Sequence, residues 1–230
     1  MYLAKRNNMK QKIIIVGIGE TSDIAFEYML QDDQYDIVAF SVNEHYIKTE
    51  SHHNKPLVSL EKLDTLFSPN THKTFVAAGS GHLNRDREKL FHEVKKKGYI
   101  CVSYISPYAF VWKTASIGEN CFIFENNVIQ HGVSIGDNVI LWSGNHIGHQ
   151  TKINNHTFIS SHCVISGCCE IGEYNFLGVN CTFADYIKTG KDCFIGMGAL
   201  VGKNLPDNTL IKPPKSEISK FTARQLCQLD

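Results

Sequence analysis

IGENCFIFENNVIQHGVSIGDNVILWSGNHIGHQ, residues 117–150, sets the phase of the chain: cut into sixes, it opens each block on Ile117, Ile123, Ile129, Ile135, Leu141 or Ile147. The same phase runs without insertion from Val111 to Pro206, and fifteen of its sixteen first positions are aliphatic or Phe, Thr189 being the exception. Such residues make up roughly a quarter of an ordinary chain, so coincidence is excluded. The second place of a block is often glycine, as in Gly118, Gly136, Gly148, Gly172 and Gly178. A corner between short strands there has no room for a Cβ. The fifth place is mostly small or β-branched and takes Cys121, Cys163, Cys169, Cys181 and Cys193. Five of the eight cysteines therefore read as small core residues rather than as disulfide or zinc ligands.

A period of six with one inward residue per block resembles the left-handed parallel β-helix, in which three blocks make a triangular coil of 18 residues. Sixteen blocks predict about five coils, with Ile117, Ile135, Ile153 and Ile171 stacked as one internal ladder. Beyond Pro206 the phase is expected to be lost. Pro213 and Pro214 break the chain, and 216–227 reads as a short C-terminal helix capped by Ser216 that closes the last coil.

Ahead of the repeat the pattern changes. KIIIVGIG (12–19) is a strand and tight turn leading to a helix with Ile24, Ala25, Tyr28 and Met29 on one face. Strands over 35–42, 73–78 and 99–104 and a helix over 85–97, stopped by Gly98, complete a βαβ series with a parallel sheet. The expected fold is thus an α/β Rossmann-like domain over 1–106 followed by a left-handed β-helix domain with its C-terminal cap over 107–230.

Charge is balanced, 23 Lys+Arg against 23 Asp+Glu, which argues against a nucleic-acid binder or an acidic tail. The polar N-terminus and the lack of a long apolar run give no signal peptide and no membrane insertion, so a cytoplasmic protein is expected. Gly17, Gly19 and Ser22 match a dinucleotide fingerprint with its third glycine replaced, and no acidic residue ends the second strand. Two readings stay open there, a plain tight turn and a nucleotide or nucleotide-sugar site; a nicotinamide site fits less well.

Third places of blocks face outward. They put His131 and His149 one coil apart, where an imidazole can act as general base. His146, His156 and His162 crowd the same coils, with surface positions as their simpler reading. Zinc in the manner of γ-class carbonic anhydrases needs H-x4-H; the gaps here are 15, 3, 7 and 6, so no metal is expected.

With these motifs in hand, the chain resembles, end to end, the bacterial sugar acetyltransferases of the sialic-acid O-acetyltransferase and bacillosamine N-acetyltransferase type. The resemblance implies a homotrimer, acetyl-CoA in the cleft between neighbouring β-helices, and a nucleotide-linked sugar held partly by the N-terminal domain. It places the catalytic histidine on His149 and its acidic neighbour on Gln150, which lacks the carboxylate. A cofactor-contacting histidine of the family falls on Phe158. Backbone contacts to the pantetheine arm fall near Val179 and Met197, and Lys203, Lys212 and Lys215 are candidates for the CoA phosphates. Sugar-nucleotide contacts fall on Gly17, Ile18, Gly19, Val42, Asn43 and Gly79, with His131 added on the substrate side.

The missing carboxylate weakens His149 as a base, which a neutral amine tolerates better than a hydroxyl. The expectation is therefore acetyl-CoA-dependent N-acetylation of a nucleotide-linked aminodeoxy sugar in surface glycan, such as lipopolysaccharide, biosynthesis. O-acetylation, or a non-catalytic trimeric scaffold or nucleotide-sugar sensor, are the alternatives.

Overall fold

The computed structural model describes residues 10–229; residues 1–9 of the polar N-terminus lie outside them, as does Asp230. The first strand, β1 (Gln11–Val16), runs from exposed Gln11 and Lys12 into four buried apolar residues and lies between β2 (Tyr35–Val42) and β5 (Lys73–Val76), parallel to both. β4 (Lys55–Ser59) adds beyond β2, and β3 (Ser51–His52) folds back antiparallel on it around His53 and Asn54, both with positive φ. The sheet order is β3-β4-β2-β1-β5. Helices α1 (Glu20–Leu30) and α3 (Arg85–Lys96) cover opposite faces, and a short α2 (Leu63–Leu66) follows β4.

Two details depart from the sequence reading. The β3–β4 hairpin is absent from it, and the strand expected over 99–104 shrinks to a single bridge from Cys101 to Thr74. The chain leaves the sheet there because Tyr104–Ile105 already pairs with Phe122–Ile123 as the first rung of the second part.

That second part is a stack of two-residue rungs in three parallel sheets, each rung bonding the one 18 residues later. Ile117, Ile135, Ile153 and Ile171 pair in register as expected. The five fifth-place cysteines are at most 2% exposed and lie in one continuous core with the first-place aliphatics. The chain turns at the fourth place of every block from Ile117 to Ile195, where φ is positive: 54° at Asn120, 59° at Asn138, 57° at Gln150. The second-place glycines serve the stacking instead, since a Cβ on Gly148 would stand 2.5 Å from the Ser166 carbonyl carbon one coil on.

The stack is longer than the repeat suggests. It begins at Tyr104, and the chain shortens one turn by two residues, so that Thr189 meets Leu205 and Phe194 meets Leu210 at a spacing of 16. The phase is therefore shifted rather than lost after Pro206, and Leu210–Ile211 forms the seventh rung of its sheet. The last helix, α4, spans only Ala223–Leu226 and is capped by Thr222 in a capping box with Gln225, not by Ser216. Residues 212–229 are exposed throughout, with Pro213 and Pro214 lying over Gly196 and Gly198 of the last coils. No helix among the described residues is long and apolar enough to cross a membrane.

The two parts share a core. Tyr104, Phe122, Phe124 and Ile140 point outward from their rungs into the cluster around Phe26, Met29 and Phe40. On the α3 side the joint is polar. Arg87 is fully buried and donates to the carbonyls of Gly79 (2.6 Å), Asn138 (3.2 Å) and His156 (3.3 Å) and to Asn84 Oδ1 (3.2 Å). Burial draws its pKa down to about 9, which still leaves the guanidinium charged at neutral pH. Asn120 completes the edge of β5, accepting from the Val76 N–H and donating to the Val76 carbonyl. Asn120 also donates to Asn138 Oδ1, so that Asn138 Nδ2 faces and donates to His156 Nδ1 at 2.9 Å.

His156, expected at the surface, is instead 5% exposed against Phe91 and Tyr174, and burial lowers its pKa to about 4.

Two outcomes follow from this joint. Arg87→Ala leaves several buried carbonyls unpaired and should cost about 3 kcal/mol, lowering the thermal midpoint by roughly 10 °C in a calorimetric scan. Neutral His156 contributes its full stability above its unfolded pKa of 6.5 and loses it as pH falls toward the folded value of about 4. Denaturant unfolding should accordingly show a loss of about 2 kcal/mol between roughly pH 7 and pH 5, which His156→Gln removes.

Candidate active site

The apolar run of β1 ends at Gly17, whose φ is +131° and whose missing Cβ leaves room for the Ala77 carbonyl beyond β5. That close approach opens a cavity of about 410 Å³ at the carboxyl ends of β1, β2 and β5. All six positions expected to hold a nucleotide sugar, Gly17, Ile18, Gly19, Val42, Asn43 and Gly79, line it. α1 starts at its rim with Gly19 as N-cap and no side-chain cap, which leaves first-turn amides for an anion.

Three features, two in the cavity wall and one behind Asn43, were not legible in the sequence. Tyr46, just over half exposed, forms part of the wall. Ser41, wholly buried in β2, carries the one buried side-chain oxygen without a partner among the described residues, and it lines the cavity. Glu61 supplies an acidic group at the end of β2 although the chain reaches it only after β4. It accepts from Ser59 Oγ (2.6 Å), the Glu44 N–H (3.0 Å) and Asn43 Nδ2 (3.4 Å), and the Ser59 hydroxyl above all holds its pKa down at about 2. The Ser59-x-Glu61 spacing is its only local trace.

A second, shallow groove of about 280 Å³ lies on the β-helix and is lined by Phe110, Trp112, Val128, Gln130, His131 and His149. His149 is exposed at a corner, and its backbone N–H donates to Gln130 Oε1 at 2.9 Å. Its imidazole lies flat against Gly167, one coil on: a Cβ on Gly167 would stand 2.7 Å from Nε2, inside the ring's own volume. Gly167 is fixed in turn by its N–H, which donates to Asp185 Oδ1 at 2.8 Å. His131 shares the corner, its Nδ1 2.9 Å from Thr114 Oγ1.

Gln150 turns away from the imidazole. Its Oε1 accepts from the Cys168 thiol at 3.4 Å, and among the described residues it makes no hydrogen bond to His149.

The remaining expected positions fall elsewhere on the chain. Phe158 stacks on Phe176 at 5.3 Å on the sheet that carries the N-terminal domain. Val179 and Met197 are exposed along another corner, joined by the Gly198 N–H to Val179 carbonyl bond. Lys203 stands on the same corner series as His149, three coils on at the 18-residue repeat, and Lys203, Lys212 and Lys215 are all exposed. Within one chain the strand-end cavity and the His149 groove share no lining residue. The face between the two corners is open, with Phe110, Val164 and Leu200 exposed on the first, fourth and sixth rungs of one sheet and Val128, His146 and Thr182 half-buried on the rungs between them.

Comparison with known proteins bears on this arrangement. Residues 114–149 match the family described as bacterial transferase hexapeptide (six repeats). A search of curated protein sequences finds no match. Among solved structures, the acetyltransferase domain of PglB from Neisseria gonorrhoeae FA1090 in complex with acetyl coenzyme A is 22% identical. It aligns over 89% of this chain and 97% of its own, with a TM-score of 0.79. PerB from Caulobacter crescentus, in complex with CoA and GDP-perosamine, is 25% identical over 86% of this chain and 92% of its own, with a TM-score of 0.77. WeeI from Acinetobacter baumannii AYE is 15% identical over 89% and 97%, at 0.54. By its hexapeptide repeat and by its two-part fold, the chain resembles the bacterial sugar acetyltransferases.

Proposed function

We propose that this chain is an acetyl-CoA-dependent N-acetyltransferase that modifies the amino group of a nucleotide-linked aminodeoxy sugar. The observation that carries the reading is His149, an imidazole held at an exposed corner against Gly167 in a chain whose fold follows PerB, solved with CoA and GDP-perosamine. The sugar amine attacks the thioester carbonyl, His149 takes the proton released from nitrogen, and the thiolate of CoA leaves as the amide forms. Because Gln150 is bonded to Cys168 rather than to the ring, His149 works without an acidic partner, which suits a neutral amine better than a hydroxyl.

The reading requires more than one copy. The nucleotide part of the acceptor sits in the strand-end cavity, and the separation of that cavity from the His149 groove within one chain makes the catalytic histidine that of a neighbour. A homotrimer packed through the open Phe110–Val164–Leu200 face brings them together, with the domain 1–106 for recognition and 107–230 for chemistry. CoA runs along the cleft past Phe158, Val179 and Met197, its phosphates near Lys203, Lys212 and Lys215. The supply of acetyl-CoA places the reaction in the cytoplasm, and the product feeds surface glycan assembly.

Two tests bear on the two halves. His149→Ala should lower CoA release with a nucleotide-linked amino sugar by about 10²- to 10⁴-fold. Gly167→Ala, which moves the ring without touching substrate, should lower kcat by about 10- to 100-fold with KM nearly unchanged. Unchanged transfer by His149→Ala removes the catalytic assignment, and equal mass gain on the hydroxyl analogue replaces N- by O-acetylation. In the cavity, Ser41→Ala should leave the thermal midpoint unchanged or raised, since the unpaired hydroxyl is costly to bury. It should also weaken binding of the nucleoside diphosphate by about tenfold in titration calorimetry. Unaltered affinity would show that Ser41 does not read the ligand.

A further inference from the structure

The β3–β4 hairpin turns at His53 and Asn54, with φ of 47° and 58°, which sets the adjacent histidines His52 and His53 at its tip. Both rings reach back to α1. His52 Nε2 lies 2.7 Å and His53 Nε2 2.9 Å from the same oxygen, Asp23 Oδ1. The three ligand atoms lie within 4.8 Å of one another. The rings are held from behind by the hydrophobic core: His53 stacks on Phe26 at 4.6 Å, and His52 meets Phe40 edge-on at 4.7 Å. All three side chains are partly exposed, 26% for His52, 33% for His53 and 44% for Asp23, so the cluster is open to solvent on one side.

We propose that Asp23, His52 and His53 form a binding site for one divalent transition-metal ion of the zinc, cobalt or nickel class. Two imidazoles and one carboxylate on one side of an ion, with water completing the shell, suit these borderline metals, whereas calcium and magnesium prefer all-oxygen sets. Ligand atoms around a tetrahedral ion stand roughly 3.3 Å apart at bond lengths of about 2.0–2.1 Å, so side-chain shifts of a few tenths of an ångström open the cluster to receive one. The charge is favourable: one carboxylate offsets half of the ion's charge, and among the described residues no Lys or Arg side chain bonds the carboxylate.

The second cluster of similar composition, Glu88, His92 and His156, differs on this point. There Arg85 lies 3.9 Å from Glu88 and over the Tyr174 ring, and Tyr174 donates to the carboxylate, so Glu88 is already engaged. At the hairpin neither imidazole has a second hydrogen-bond partner among the described residues, and the absence of such outer support sets the affinity at a modest level.

The site belongs to neither cavity and does not depend on the proposed transferase activity. Its effect is mechanical. An ion shared by α1 and the hairpin ties the segment that carries Tyr46 to the helix whose first turn faces the strand-end cavity.

Titration of the full chain with Zn²⁺, followed by calorimetry and by the thermal midpoint, tests the assignment. The expected result is one ion per chain and a midpoint that rises with Zn²⁺. Asp23→Asn and His53→Ala should each weaken binding by at least about tenfold and abolish that rise, and His92→Ala should leave both unchanged. Co²⁺ substitution should give visible bands without a thiolate charge-transfer band, which separates this site from the cysteines. Each variant's midpoint without metal shows that it is folded. No Zn²⁺ binding by the unaltered chain, equal binding by the Asp23 and His53 variants, or a loss confined to His92→Ala would each overturn the proposal.

Discussion

Everything in this molecule depends on one constraint, the in-register stacking of 18-residue coils. A single coil has no interior of its own: its inward Ile, Leu and Cys side chains are covered only by the coils above and below, as the unbroken core from Cys121 to Leu205 shows. The backbone bonds run the same way, from each rung to the next. A residue's place in the hexapeptide therefore fixes its height and direction. That is how a side chain as mobile as His149 comes to a defined place, set by a backbone bond to Gln130 one coil below and by Gly167 one coil above.

The N-terminal domain borrows this rigidity rather than adding to it. Its α1-side core continues into the outward faces of Phe122, Phe124 and Ile140, and its α3 side is anchored by Arg87. Among the described residues Arg87 has no carboxylate partner; it is held by carbonyl dipoles from both parts, Gly79 on one side and Asn138 and His156 on the other. A buried charge satisfied only by such a set binds its surroundings into one geometry, because any displacement strands several acceptors at once. The strand-end cavity consequently has a fixed bearing relative to the β-helix.

What the sequence discloses follows the range of the interaction concerned. The hexapeptide phase is local, so the fold class, the interior cysteines and the outward setting of His131 and His149 were all readable. The six positions around the strand-end cavity came instead from the resemblance to the sugar acetyltransferases; the local pattern marked only the glycine turn after the first strand. Where the phase slips by two residues, between Val201 and Leu210, a six-residue reading loses the chain although the rung pairing continues. The terminal helix was misplaced because Ser216 looks like a cap, while Ile218, Phe221 and Leu226 after it stay exposed rather than packing on the last coil; Thr222 and Gln225 hold the working capping box. Arg87, Asn120 and buried His156 carry no local mark, since their partners lie across the joint. Glu61 and the unpaired Ser41 hydroxyl belong to the same category: their meaning comes from what stands opposite them.

The shortened turn near the end of the stack also says something about how such a chain can change length over evolutionary time. Two residues were dispensed with at a corner while the rungs on either side kept their alignment, so corners tolerate trimming that strands do not. By the same geometry, gaining or losing a complete 18-residue layer on the far side of Lys203 would leave His149, Gly167 and the joint to the N-terminal domain untouched. The molecule has a fixed base and an adjustable height, and it can be lengthened without redesigning the corner where His149 stands.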